Sequence, residues 1–184
     1  MTVKKTTLLL AIAALSFPVA ASAHRLDEYL QATTIGLSDH SIALHLRLTP
    51  GVDVADGVIR QIDRNGDGNL SVAEQQAYVS HIAQTLTLSI NGQFQLLSTK
   101  TATFPSLSAI KNGAGTIDIQ FTAKTDFKKG DYTLTYHNKG AGLDTVWLVN
   151  SLLPQSPDIC ITQQERSENQ SHYELRFRVD NSCE

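Results

Sequence analysis

Along most of the chain, apolar residues recur at every second position. Ile42, Leu44, Leu46 and Leu48 alternate with Ala43, His45, Arg47 and Thr49, which is the period of a strand with one buried and one wet face. Ahead of them Leu30, Ala32 and Thr34 alternate with Gln31, Thr33 and Ile35, and Ser38-Asp39-His40 turns the chain. The two runs therefore read as an antiparallel hairpin, ended by Pro50-Gly51. Alternation resumes at Leu86, Leu88 and Ile90 and stops at Asn91-Gly92, a type I′ hairpin signal. Phe94 and Leu96 then start a return strand that Ala102 to Phe104 continues, whereas 106–115 carries no clear period. Ile117, Ile119 and Phe121 mark another strand, Lys128-Lys129-Gly130-Asp131 a turn, and Tyr132, Leu134 and Tyr136 the strand after it. Val146 and Leu148 mark a further one before the Pro154 to Pro157 break. Cys160 with its flanking isoleucines, and Tyr173, Leu175, Phe177 and Val179, supply a last hairpin. Roughly eight to ten short strands at this spacing predict a mainly β fold, an antiparallel β-sandwich that is Ig-like in general architecture.

One stretch breaks the period of two. Val54, Val58, Ile59 and Ile62 fall at helical spacing, as do Ala73, Ala77, Ile82 and Leu86 beyond them. Ser71 and Glu74 form the S-x-x-E capping box at the start of the second helix. Between the two helices runs Asp63-Arg64-Asn65-Gly66-Asp67-Gly68-Asn69-Leu70-Ser71-Val72-Ala73-Glu74. Oxygen-bearing side chains at alternate positions, closed by a glutamate, are the donors a hard cation prefers.

This stretch resembles the calcium loop of the EF-hand family, which draws oxygens from positions one, three, five, seven, nine and twelve. Here those are Asp63, Asn65, Asp67, Asn69, Ser71 and Glu74, with Gly68 at the sharp turn and Leu70 as the apolar anchor. The resemblance implies Ca²⁺ as cofactor, with Asn69 giving its backbone carbonyl, Ser71 a hydroxyl or bridging water, and Glu74 both carboxylate oxygens. The helix–loop–helix is thus expected as an insertion at about 53–85, between the second and third strands. With no second loop to brace it, a structural or modulating site is expected rather than a calmodulin-like switch.

Residues 1–23 read as an export signal: Lys4 and Lys5, the apolar run Leu8 to Phe17, and Ala21-Ser22-Ala23 as the cleavage site. The remainder, 24–184, is expected to be a single β-sandwich domain in the periplasm or secreted. Cys160 and Cys183 fit a disulfide in that oxidising setting. The full chain has 15 basic and 18 acidic residues, a balance that offers no electrostatic footprint for nucleic acid. No later apolar run is long enough to span a bilayer.

Cleavage after Ala23 would make His24 the first residue, offering amine and imidazole to one copper ion together with His45, His81, His137 or His172. This is the alternative reading, a copper- or nickel-handling accessory domain. No G-x-S-x-G, H-E-x-x-H or C-x-x-C occurs; Asp27 and Glu28 would point to opposite faces of a strand, and Trp147, Tyr132 and Tyr136 are expected in the core. A non-enzymatic role follows as the expectation. The stretch His24-Arg25-Leu26-Asp27-Glu28-Tyr29-Leu30-Gln31-Ala32, Leu48-Thr49-Pro50-Gly51-Val52 and the loop together are similar to exported bacterial proteins with one EF-hand. Longer relatives of those proteins continue into a membrane part similar to the HupE/UreJ nickel-permease group. The resemblance implies no activity, and it makes a membrane transport component one candidate for the protein partner.

Overall fold

The computed structural model describes residues 27–140, 142, 144–181 and 183. The expected signal segment and His24 lie outside the described residues.

The first hairpin forms as the alternation requires. β1 (Tyr29–Ser38) and β2 (Ser41–Pro50) pair antiparallel from Tyr29↔Pro50 to Ser38↔Ser41. The buried face of β1 consists of Tyr29, Gln31, Thr33, Ile35 and Leu37, so Leu30 and Ala32 lie on the outer side. Two polar residues are buried because each finds a partner on the opposite sheet. Thr33 Oγ1 lies 2.8 Å from the Tyr136 hydroxyl, and Asn138 Nδ2 donates to Gln31 Oε1 at 2.8 Å. A buried hydroxyl or amide without such a partner would cost free energy.

After β2 come α1 (Val52–Ile62) and α2 (Val72–Thr85), then β3 (Leu86–Ile90), β4 (Gln93–Phe94), β5 (Ser98–Thr103) and α3 (Leu107–Lys111). β6 (Ile117–Lys124), β7 (Gly130–Asn138), β8 (Thr145–Ser151), β9 (Ile159–Arg166) and β10 (His172–Val179) complete the order. The strands build two five-stranded sheets, β5-β6-β2-β1-β8 and β4-β3-β7-β10-β9. Their inner faces merge in one apolar cluster that includes Leu44, Leu46, Phe121, Leu134, Tyr136, Leu175 and Phe177. The fold is a mainly β sandwich with a small helical insertion between its second and third strands, as the pattern predicts.

Four local expectations are corrected. First, Phe94 and Leu96 do not begin one strand with Ala102 to Phe104: β4 pairs with β3 in one sheet, and β5 pairs with β6 in the other. Phe94 and Leu96 are 81% and 86% exposed, and it is Leu97 that packs on the core where the chain crosses over. Second, β8 runs parallel to β1. The chain reaches β8 from the opposite sheet, so no tight turn forces it to run back antiparallel. Along β8 only Val149 is buried among its apolar residues; Leu148 faces out, and Trp147 is half-buried with a shielded indole N–H that has no partner among the described residues. Third, the inward face of α2 is Tyr78, Val79 and Ile82, while Ala73 and Ala77 are exposed. A tyrosine can bury far more apolar surface than an alanine and sets how the helix rolls. Fourth, the aperiodic 106–115 segment contains α3, capped by Ser106 Oγ accepting from the Ala109 N–H at 3.2 Å. Its Ile110 is fully buried against Ala55 and Ile59 of α1.

Candidate metal centre

The helical pair is also the link between the sheets. α1 leaves β2 in one sheet, and α2 runs into β3 of the other with no intervening residue. Val58 and Ile62 of α1 and Tyr78, Val79 and Ile82 of α2 enter the main core. The loop between the helices is thus held at both ends by buried side chains.

Inside the loop, carboxylates organise the backbone. Asp63 is 8% exposed, and its charge is met by three N–H groups: Gly66 and Asp67 donate to Oδ1 at 2.8 and 3.2 Å, and Gly68 donates to Oδ2 at 3.0 Å. Those N–H groups can point back at Asp63 because Gly66 and Gly68 adopt φ of 70° and 78°, the left-handed region that glycine enters without a Cβ penalty. The same pattern repeats further on: Asn65 Oδ1 accepts from the Asp67 N–H at 2.9 Å, and Asp67 Oδ1 from the Asn69 N–H at 2.8 Å.

Glu74 closes the loop from its far end. Its Oε2 accepts from the Ser71 hydroxyl at 2.6 Å and the Ser71 N–H at 3.1 Å, completing the capping box. Its Oε1 reaches back ten residues to the Arg64 N–H at 3.1 Å, with that of Asn65 at 3.4 Å. These bonds, first that from the Ser71 hydroxyl, hold the Glu74 carboxyl below its ordinary pKa. Leu70 is half-buried and packs on both apolar clusters, fixing the loop to the body.

All six expected ligand residues therefore sit in one loop, Gly68 at its predicted sharp turn. Their donors are hard oxygens, with three carboxylates among them, and by chemistry they suit a hard dication. In this arrangement the carboxylates address N–H groups, and among the described residues no three Asp, Glu, His or Cys side chains are gathered as a metal cluster. Gly66 was not singled out by sequence; the Asn65-Gly66 dipeptide is the turn signal that could have found it.

Elsewhere, Cys160 and Cys183 are joined in a disulfide with Cα atoms 5.3 Å apart, tying β9 to the residues after β10. The remaining candidate histidines do not converge on one place. His45 Nε2 lies 2.6 Å from Asp118 Oδ2 on the first sheet, and His81 is exposed on α2. His137 and His172 are directly opposite each other on β7 and β10. Partial burial, the neighbouring His172 and Lys139 lower the pKa of His137.

No protein-family model, curated protein or solved structure matches this chain. Among the described residues, no helix is long and apolar enough to cross a membrane.

Proposed function

We propose that this chain is an exported, non-enzymatic calcium-binding protein in which one EF-hand-like loop braces a β-sandwich interaction domain. The supporting observation is the way Asp63 and Glu74, at opposite ends of the loop, both turn their carboxylates onto the backbone of residues 64–68. Ca²⁺ would be held by Asp63, Asn65, Asp67, the Asn69 carbonyl, Ser71 and Glu74, and would offset the mutual repulsion of three carboxylates in one short loop. Because the loop joins helices that lead out of one sheet and into the other, filling it would stiffen that crossover. The stabilisation is RT ln(1 + [Ca²⁺]/Kd), about 2.7 kcal/mol at a hundredfold excess over Kd. Three acidic ligands favour moderate affinity, with Kd on the order of 10⁻⁵ to 10⁻³ M.

The Lys4/Lys5 leader and the disulfide support export to the periplasm or medium, where such bonds persist. The partner in this reading is a protein, with a membrane transport component as one candidate. The test is calorimetric titration of Ca²⁺ into chelator-stripped protein, paired with melts in calcium and in chelator. One ion per chain and a raised Tm are expected, with Glu74→Gln weakening binding by more than tenfold while the strands stay folded. Absence of binding at millimolar Ca²⁺, or unchanged affinity in Glu74→Gln, would overturn the reading.

A further inference from the structure

His137 of β7 and His172 of β10 meet across the ladder as a registered pair, and their rings stand edge to face with centres 5.6 Å apart. Their positions are rigidly set. Each adjoins a fully buried tyrosine on its own strand, Tyr136 and Tyr173, so alternation keeps both imidazoles on the outer face. Among the described contacts no hydrogen bond reaches either ring, whereas His45 is engaged by Asp118. The nearest acid on the same face of β10, Glu174, is occupied by Arg176 Nε at 2.8 Å.

The spacing suits a shared ligand. A metal bound to one nitrogen of each ring at ~2.1 Å places the ring centres roughly 4.6–5.6 Å apart for bond angles of about 90–120°. The observed separation lies at the wide end of that span, within reach of a small rotation about χ1 or χ2. Imidazole is the ligand of borderline transition metals, and hard Ca²⁺ prefers oxygen, so this pair and the loop would not compete for one ion.

We propose that His137 and His172 form a second metal site, a two-imidazole clamp on the outer face of the second sheet for a divalent transition metal. Cu²⁺ is held tightest by the Irving–Williams order, ahead of Ni²⁺ and Zn²⁺. Two protein ligands leave positions to water or to a donor from another molecule, so the site is built for exchange rather than for permanent structural metal. The site stands independently of the calcium reading and does not require His24.

The test is titration of the full chain, saturated with Ca²⁺, with Cu²⁺ and separately with Zn²⁺. Electron paramagnetic resonance would count nitrogens on copper, and amide NMR would map the zinc complex. Expected are one equivalent of ion at this face, two imidazole nitrogens on copper, and zinc-induced shifts centred on Thr87, His137 and His172; Thr87 is the β3 residue in register with His137. His137→Ala and His172→Ala would each weaken binding on the order of a hundredfold, because the second contact is intramolecular. The double variant, left with no imidazole here, should lose binding at this face altogether. His24→Ala should leave this site unchanged. Unchanged affinity in both histidine variants, or zinc shifts confined to other residues of the wild-type chain, would overturn the proposal. The NMR arm decides the matter even where a variant folds poorly.

Discussion

Removing the hydroxyl of Tyr78 is the sharpest probe of how the loop between α1 and α2 is anchored. Tyr78 is the central buried residue of α2, and its hydroxyl lies 2.6 Å from that of Tyr29 at the start of β1. The two residues are 1% and 8% exposed, and neither oxygen has another hydrogen-bond partner among the described contacts. Tyr78→Phe keeps the ring, its packing and its edge contact with Phe104, but it leaves the Tyr29 hydroxyl buried and unpaired. A stranded buried hydroxyl costs about 1–3 kcal/mol, whereas replacing both partners with apolar groups of the same shape is nearly neutral. Tyr29→Phe alone should cost a similar amount, and Tyr29→Phe/Tyr78→Phe should recover most of the loss. Urea unfolding at fixed calcium, with the disulfide intact, measures all four corners of the cycle. Two single losses that simply add in the double variant would mean that the hydroxyls are satisfied independently, and the argument would fail.

The same pair predicts an alkaline limit. Burial, the first cause in each case, pushes the Tyr78 phenol up to about 12 and that of Tyr29 well above its ordinary value. A folded pKa raised above the unfolded one gives stability that is complete below about pH 10 and is lost as pH rises through the folded value. Tyr136 is buried and raised in the same way, so absorbance near 295 nm should show these tyrosines ionising only as the fold opens; early, non-cooperative titration of all tyrosines would refute this. Reducing the Cys160–Cys183 bond, or Cys160→Ser/Cys183→Ser, removes a cross-link with a sequence separation of 23. On the chain-entropy model this lowers stability by about 3 kcal/mol, read as a lower urea midpoint, and an unchanged midpoint would refute that figure.

The elements legible in the sequence were those whose burial repeats with a fixed period. Ile42 to Leu48 and Tyr173 to Val179 bury every second residue, and for such strands the alternation alone assigns the inner face. The helical insertion was legible because the Ser71/Glu74 box and the glycines are local chemistry, complete within twelve residues. In β1 the alternation alone left the inner face open, because Gln31 and Thr33 are polar. They face inward because Asn138 and Tyr136, more than a hundred positions away, satisfy them, and no local window contains those partners. The α3 segment was opaque for a related reason: a five-residue helix is too short to display a period, and its burial depends on α1.

What the sequence by itself determined is the strand alternation, the position of the insertion, the turn and capping chemistry of its loop and the pairing of its only two cysteines. These follow from residue type and spacing over short range. Only the tertiary structure decided that β4 and β5 belong to different sheets, that β8 joins β1 in parallel, that Tyr29 holds Tyr78, and that His137 faces His172. Such choices depend on which surfaces remain to be covered once the sheets have met, because long-range pairing is selected by burial of the whole chain and not by any one segment's preference.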